Sequence, residues 1–259
     1  MITSSQNPKI KLIRALAGRP KERRENGAFL AEGVRLVEEA FAAGWQFRFV
    51  LHTDGLSQRG LDLVKNLAAK SMDVEPVAEN LLQSVTETET SQGILAVLAL
   101  DPPAALKPPA KPNFILIPDQ IRDPGNLGTL LRTAAAAGVQ AALIPPETTD
   151  PFAPKVVRAG MGAHFRLPIL SLSWEQIGAR VDGMSVYLSD AEGEKSCWEV
   201  DFAHPLALVI GGEADGVSKQ ARDLAKEMIR IPMPGHMESL NAGAAGAVLM
   251  FEVVRQRSR

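Results

Sequence analysis

Three stretches of the chain place polar or charged residues beside glycines at the ends of apolar runs. The first is Asp119–Ala137, DQIRDPGNLGTLLRTAAAA. Asp123-Pro124-Gly125 reads as a turn, and Asn126 is suited to cap the helix that follows. Gly128 and Arg132 lie four apart and share a helix face. Arg132 carries a permanent charge and a fork of donors suited to a phosphate or a developing oxyanion; a surface salt bridge is the plainer alternative. The second is Val209–Gly216, VIGGEADG, where an apolar strand runs into Gly211-Gly212 and then Glu213. Paired glycines let backbone approach a ligand closely, although a plain strand-to-helix turn has the same composition. The third is Met228–Arg257, in which a short apolar run breaks at Pro234-Gly235 and a helix begins near Ser239. Ser239 and Asn241 are both good N-cap residues. Gly243 and Gly246 each cost about 1 kcal/mol relative to Ala inside a helix, so something must approach there: a backbone, a subunit or a ligand.

Other chemistries find little support. The one cysteine, Cys197, cannot form an internal disulfide, and His52, His164, His204 and His236 show no metal-ligand spacing, so no metal is expected. No apolar run approaches the roughly 18 residues of a membrane span, and the charged N-terminus is not a secretory signal. A cytoplasmic setting is expected. The hydrophobic share of 46% with 22% charged residues is that of an ordinary globular protein. The net charge of −2 excludes a generally basic chain, but residues 1–24 hold seven bases (Lys9, Lys11, Arg14, Arg19, Lys21, Arg23, Arg24) against Glu22, a local net of +6. Such a patch attracts phosphates, or is simply a solvated charged helix.

The elements that must position these residues alternate between helix and strand. Pro8 to Ala17 is a helix capped by Asn7, and Val34–Ala43, Leu61–Lys70 and Glu79–Val85 are further helices. Strands are expected at Phe29–Ala31, Phe47–Leu51, Val74–Val77 and Gly93–Leu100. DPPAALKPPAKP, residues 101–112, is a semi-rigid spacer that separates an N-terminal domain, 1–100, from a second domain, 113–259. In the second, strands at Phe114–Ile117, Ala141–Ile144, Ser185–Leu188, Leu206–Ile210 and Ile229–Pro232 alternate with helices, one of them over 151–161. The expected class is α/β with a mostly parallel sheet, in which ligands sit at the carboxyl ends of the strands.

In this order and combination the three stretches resemble the three motifs of the SpoU (TrmH) family of RNA ribose 2′-O-methyltransferases, within the SPOUT superfamily. DQIRDPGNLGTLLRTAAAAG resembles the first motif, VIGGEADGV the second, and IRIPMPGHMESLN with its helix the third. SSQNPKIKLIRAL and SQGILAV resemble the smaller substrate-binding domain, with a ribosomal-protein-like α/β fold, that many members carry. The resemblance implies a deep trefoil knot in the second domain and S-adenosyl-L-methionine as cofactor. Gly211, Ile231 and Leu240 match cofactor positions, and Leu188, Gly212 and Met233 go with them. Asn126, Arg132, Glu213, Ser239 and Asn241 match catalytic-site positions. It also implies a homodimer in which one subunit's arginine completes the other's site. The match departs in one place: after Ser239-Leu240 this chain has Asn241-Ala-Gly-Ala-Ala, so the second serine of many members is missing.

The implied substrate is RNA. The extra N-terminal domain favours ribosomal RNA over tRNA, and with aromatics at only 5% of the chain it is expected to dock by phosphate contact and shape rather than by base stacking. Two rival readings remain at this level: a non-catalytic RNA-binding assembly factor that keeps the fold, and a nucleotide-binding enzyme using Gly211-Gly212 as a phosphate loop.

Overall fold

The computed structural model describes residues 1–86, 91–212, 216–235 and 237–258. The chain forms two compact units: Met1–Lys107 with Phe152–Phe165, and Pro108–Pro151 with Arg166–Arg259. No helix is long and apolar enough to cross a membrane among the described residues.

The first unit opens with α1 (Pro8–Ala17), whose N-cap Asn7 accepts a hydrogen bond from the Lys9 N–H, and α2 (Pro20–Asn26). Then come β1 (Ala28–Glu32), α3 (Val34–Ala42), β2 (Phe47–His52), α4 (Gln58–Ala69), β3 (Val74–Pro76), α5 (Glu79–Gln83) and β4 (Ile94–Ala99). The sheet order is β1-β4-β2-β3. β4 runs antiparallel to both neighbours, and β2 and β3 are parallel. Successive strand residues face opposite sides, so β4 sends Ile94, Ala96 and Leu98 into one core and Leu95 and Val97 into another. Burial on both faces explains its unbroken apolar run. α1 covers one face with Ile10, Ile13 and Leu16. On the other, Phe29 clusters with Trp45 and Phe165, with ring centroids 5.8 and 6.4 Å away.

In the second unit β5 (Phe114–Asp119) leads to α6 (Pro124–Ala136) and β6 (Ala141–Ile144). After α7 (Pro154–Gly160) come β7 (Ile169–Ser171), α8 (Trp174–Arg180), β8 (Ser185–Ser189), β9 (Lys195–Ser196), β10 (Leu206–Gly211), α9 (Lys219–Leu224), β11 (Glu227–Arg230) and α10 (Ala242–Arg257). The seven strands pair in the order β7-β6-β5-β10-β8-β11-β9, every pair parallel. The chain steps outward from β5 to β7, then returns to the other side for β8 and β10. The order therefore reverses between β5 and β10, the place where open parallel sheets hold ligands.

α7 belongs to the first unit: Val157 and Phe165 are buried in the same cluster as Phe29 and Trp45. The sequence places a helix here but gives no sign of which core it joins. Two short strands, β7 and β9, and the helix α2 are also absent from the sequence-based expectation.

The glycines of α10 have a local cause. A Cβ on Gly246 would lie 2.3 Å from the Leu130 Cδ2 of α6, and one on Gly243 would lie 2.9 Å from the Thr129 Cγ2. The close approach is thus between two helices of one chain. The far end of α10 is anchored by Arg257, which donates to the carbonyls of Phe202, Asn113 and His204 at 3.0, 3.0 and 2.8 Å.

Candidate active site

β5, β10, β8 and β11 are successive neighbours, so their carboxyl ends bring residues near 119, 211, 189 and 230 to one edge. A cavity of about 220 Å³ opens there. Its wall comes from the end of β8 (Ser189, Asp190, Ala191), the end of β10 (Ile210, Gly211, Gly212, Gly216, Val217), the segment after β11 (Ile231, Met233, Ser239, Leu240) and the start of α10 (Ala242, Ala245). Two glycines keep the β10 turn tight. A Cβ on Gly211 would sit 2.5 Å from Val217 Cγ1, and one on Gly212 would sit 2.2 Å from the Gln120 carbonyl oxygen. Backbone closes across this turn, with the Gly212 N–H donating to the Gly216 carbonyl at 3.0 Å. The result is an apolar slot edged by main-chain polar groups and by Ser189, Asp190 and Ser239. That chemistry suits an adenosyl group: a flat base between aliphatic side chains, and ribose hydroxyls against polar side chains.

Of the residues matched to cofactor positions, Gly211, Gly212, Ile231, Met233 and Leu240 lie in this wall. Leu188 does not; it is fully buried in the sheet core beside Val186 and Val209. Its successors Ser189, Asp190 and Ala191 take the wall instead, and sequence reasoning passed over them. The available signal was the strand end itself. Asp190 is held by Arg222 at 3.3 Å and accepts from the Glu192 N–H at 3.0 Å.

The residues matched to catalytic positions separate into three groups. Asn126 and Asn241 meet directly, the Asn241 Nδ2 donating to the Asn126 Oδ1 at 2.8 Å across 115 positions of sequence. Asn241 is the N-cap of α10 and accepts from the Gly243 and Ala244 N–H groups. Asn126 is not a cap: Asp123 caps α6, accepting from the Asn126 N–H at 2.8 Å, because the turn at Pro124 starts the helix earlier than expected. Ser239 joins the cavity wall. Arg132 is exposed on α6 and lies in the wall of no cavity described here. Glu213 and His236 fall outside the described residues.

A second cavity of about 200 Å³ adjoins the first and shares Gly212 and Ala242 with it. Gln120, Ile121, Arg122, Asp123 and Asn126 complete its lining. A loop after β6 braces this wall. The Thr148 hydroxyl donates to the Pro118 carbonyl at 2.8 Å and the Thr149 hydroxyl to the Arg122 carbonyl at 2.6 Å, while the Thr149 N–H donates to the Ile121 carbonyl at 2.9 Å. Gln120 and Glu147, at φ +53° and +68°, are both left-handed non-glycine residues.

Just beneath the edge, Asp119 is fully buried. Burial raises its pKa, and hydrogen bonds from Ser218 oppose the rise. Its Oδ2 accepts from the Ser218 N–H at 2.6 Å, while Oδ1 has no hydrogen-bond partner among the described residues. Cys197 is buried too, which pushes its thiol up to about 11 and leaves it unreactive at neutral pH.

The basic stretch of the first unit is thinner than its composition. Lys9 is held between Asp73 and Glu75, and Arg23 is buried, donating to the Leu16 and Gly18 carbonyls at 2.6 and 3.1 Å. Lys11, Arg14, Arg19, Lys21 and Arg24 are exposed.

Comparison with known proteins accounts for both units. The SpoU rRNA Methylase family matches residues 113–251, and the MRM3-like substrate binding domain matches residues 7–96. The chain is 32% identical to the 23S rRNA (guanosine(2553)-2′-O)-methyltransferase RlmP of Bacillus subtilis, over 97% of this chain and 98% of that one. It superposes on the AdoMet-bound rRNA methyltransferase from Sinorhizobium meliloti with a TM-score of 0.85 at 30% identity, covering 98% of this chain and 97% of the other. The SpoU methyltransferase AviRb from Streptomyces viridochromogenes in complex with AdoMet gives the same TM-score at 28% identity, over 98% and 99%. A parallel sheet with its glycine-lined cavity at the carboxyl edge, a family match covering that sheet, and relatives matched along nearly their whole length agree: the chain belongs to the SpoU rRNA methylase family.

Proposed function

We propose that this chain transfers the methyl group of S-adenosylmethionine to a ribose 2′-hydroxyl of ribosomal RNA, and does so as a cytoplasmic homodimer. The observation that supports it most is the convergence of the loops after β8, β10 and β11 on one cavity, with the first stretch tied beside it by the Asn241–Asn126 hydrogen bond. The cofactor supplies an electrophilic methyl group on a sulfonium. The chain must align the acceptor oxygen with that methyl and manage the proton the hydroxyl loses. Asn126 lines the second cavity and is bonded to Asn241, which precedes Ala242 of both walls, so their amides are assigned to orienting a ribose, and Ser239 offers a hydroxyl from the cofactor side. Arg132, always protonated, serves to stabilise a developing alkoxide or the adjacent phosphate, not as a base. Glu213 is assigned to holding that network.

Exposure of Arg132 is consistent with a role in trans. α10 shows an outward stripe of Ala244, Val248 and Phe251, the last two 36% and 49% exposed, and a second copy of the chain would cover it. We assign the trefoil knot to residues 113–259 and RNA docking to residues 1–100, with 101–112 as spacer between them.

The test is methyl transfer from labelled S-adenosylmethionine to rRNA isolated from cells deleted for this gene. Label is expected at one ribose 2′-oxygen. Arg132→Ala is expected to lose about 10²–10³-fold in rate while keeping cofactor affinity. Mixing it with a cofactor-binding variant, Gly211→Val, is expected to restore activity that neither variant has alone. Full activity of Arg132→Ala would remove that residue from the mechanism, and no restoration on mixing would remove the trans arrangement.

A further inference from the structure

The chain passes from β8 to β9 in only five residues, 190–194. Ser189 and Lys195 lie opposite Ile229 on its two sides, so this strap crosses the β11 backbone at that point. Parallel strands usually need about a dozen residues for a crossing. The closeness shows at Gly193: a Cβ there would lie 2.6 Å from the Ile229 carbonyl carbon and 2.8 Å from the Arg230 nitrogen. Gly193 is buried, while Ala191, Glu192 and Glu194 are exposed. The strap therefore sends no apolar side chain into a core, and polar contacts must hold it. Its start, Ser189 to Ala191, is one wall of the donor cavity. There the Asp190 N–H donates to the Ile229 carbonyl at 3.0 Å, and the Gly193 N–H to the Asp190 carbonyl at 3.1 Å. Among the described residues one side chain holds the far half. Arg230 Nη1 donates to the Gly193 carbonyl at 2.6 Å and also to the Glu194 carbonyl. Such charge-assisted bonds are roughly twice as strong as neutral ones. Arg230 itself lines neither cavity, but its successor Ile231 is in the opposite wall of the first. One segment thus supplies one wall and fixes the other.

We propose that Arg230 is a positioning residue for the cofactor: it holds the β8–β9 strap against β11 as a ready-made wall of the donor cavity. This rests on the cofactor assignment and not on which RNA accepts the methyl group. A loose strap has to be ordered when S-adenosylmethionine binds, and that ordering is subtracted from affinity. Once the cofactor saturates the site the wall is the same, so the methyl-transfer step is unaffected.

The experiment titrates S-adenosylmethionine into the full chain by calorimetry, with initial rates on rRNA from gene-deleted cells alongside. Arg230→Ala is expected to raise the Kd for S-adenosylmethionine about tenfold, as for the loss of a charge-assisted contact. The KM for rRNA and the kcat at saturating cofactor are expected to stay within about twofold, because the strap is ordered in the loaded enzyme. Arg230→Lys is expected to recover part of the affinity, since an ammonium also donates to carbonyls but lacks the planar fork. Gly193→Ala reaches the strap by another route, pushing it off β11 with Arg230 intact, and is expected to weaken cofactor binding too; it carries the test if Arg230→Ala does not fold. Lys195→Ala removes the neighbouring ion pair to Glu227 and leaves the strap carbonyls alone, so its Kd is expected to match the parent's. Unchanged Kd in Arg230→Ala, or in Gly193→Ala, would overturn the assignment. So would equal weakening in Lys195→Ala, which would mean a general loosening of the β9–β11 edge, and so would a loss confined to kcat. A parent protein that binds no S-adenosylmethionine would overturn the cofactor assignment itself, an outcome separate from all of these.

Discussion

The two sheets solve opposite problems. In the first unit, side chains fill space: β4 is buried on both faces, and Phe29 meets Trp45, Phe152 and Phe165. At the carboxyl edge of the second, side chains are withheld. Gly211 and Gly212 have no room for a methyl group, and Gly243 and Gly246 let α10 lie against α6. Where the fold only has to be stable, bulk is added. Where it has to receive a ligand, backbone is brought close and a space is left beside it. The difference teaches that the same change in volume has opposite meanings in the two regions.

The comparison breaks if removal and addition of volume hurt equally everywhere. The largest effect is expected for Phe29→Ala, at about 3–5 kcal/mol of unfolding free energy. Chemical denaturation measures the loss, and the remaining folded protein is expected to bind S-adenosylmethionine normally. Gly212→Ala reverses that pattern. The new methyl group meets a main-chain oxygen that cannot swing away, so about 3 kcal/mol is lost, and calorimetry is expected to detect no cofactor binding. Gly246→Ala is milder, about 1–2 kcal/mol, because the atom it meets is the end of a leucine side chain, and its melting temperature should fall without loss of cofactor affinity.

The smallest effect concerns Asp119. Its folded pKa is raised, so the native state holds the proton more tightly than the unfolded chain does. That contribution is present below the ordinary value of 3.8 and is lost as pH rises through the folded value. The buried carboxylate faces Glu147 and the Ser218 donors. Asp119→Asn has no such proton to lose. Its melting temperature relative to the parent should therefore improve as pH rises from about 4 towards neutrality. A constant difference across that range would show that Asp119 does not report burial.

Most of the architecture was legible where one local signal sufficed. Asn7-Pro8 marks the start of α1 and Gly18 its end, because caps act within a single turn. The three motif loops could be found because glycine, proline and Asn/Ser at strand ends are uncommon together. What stayed hidden depended on partners distant in sequence. Arg23 and Lys9 count as a basic patch until the fold gives one a buried site and the other two carboxylates. Asn126 as a capping residue was a fair expectation, displaced by Asp123 one turn earlier. Nothing in the composition of the loop around Thr148 and Thr149 marks it as the brace of Pro118–Arg122, since threonines in loops are ordinary.

The loan of Phe152–Phe165 to the first unit bears on how such enzymes can be recombined. A cut at Lys107 frees a piece lacking Val157 and Phe165, with the rings of Phe29 and Trp45 laid open to water. Swapping the first unit between relatives would therefore need two grafts made together, and single-junction chimaeras should aggregate.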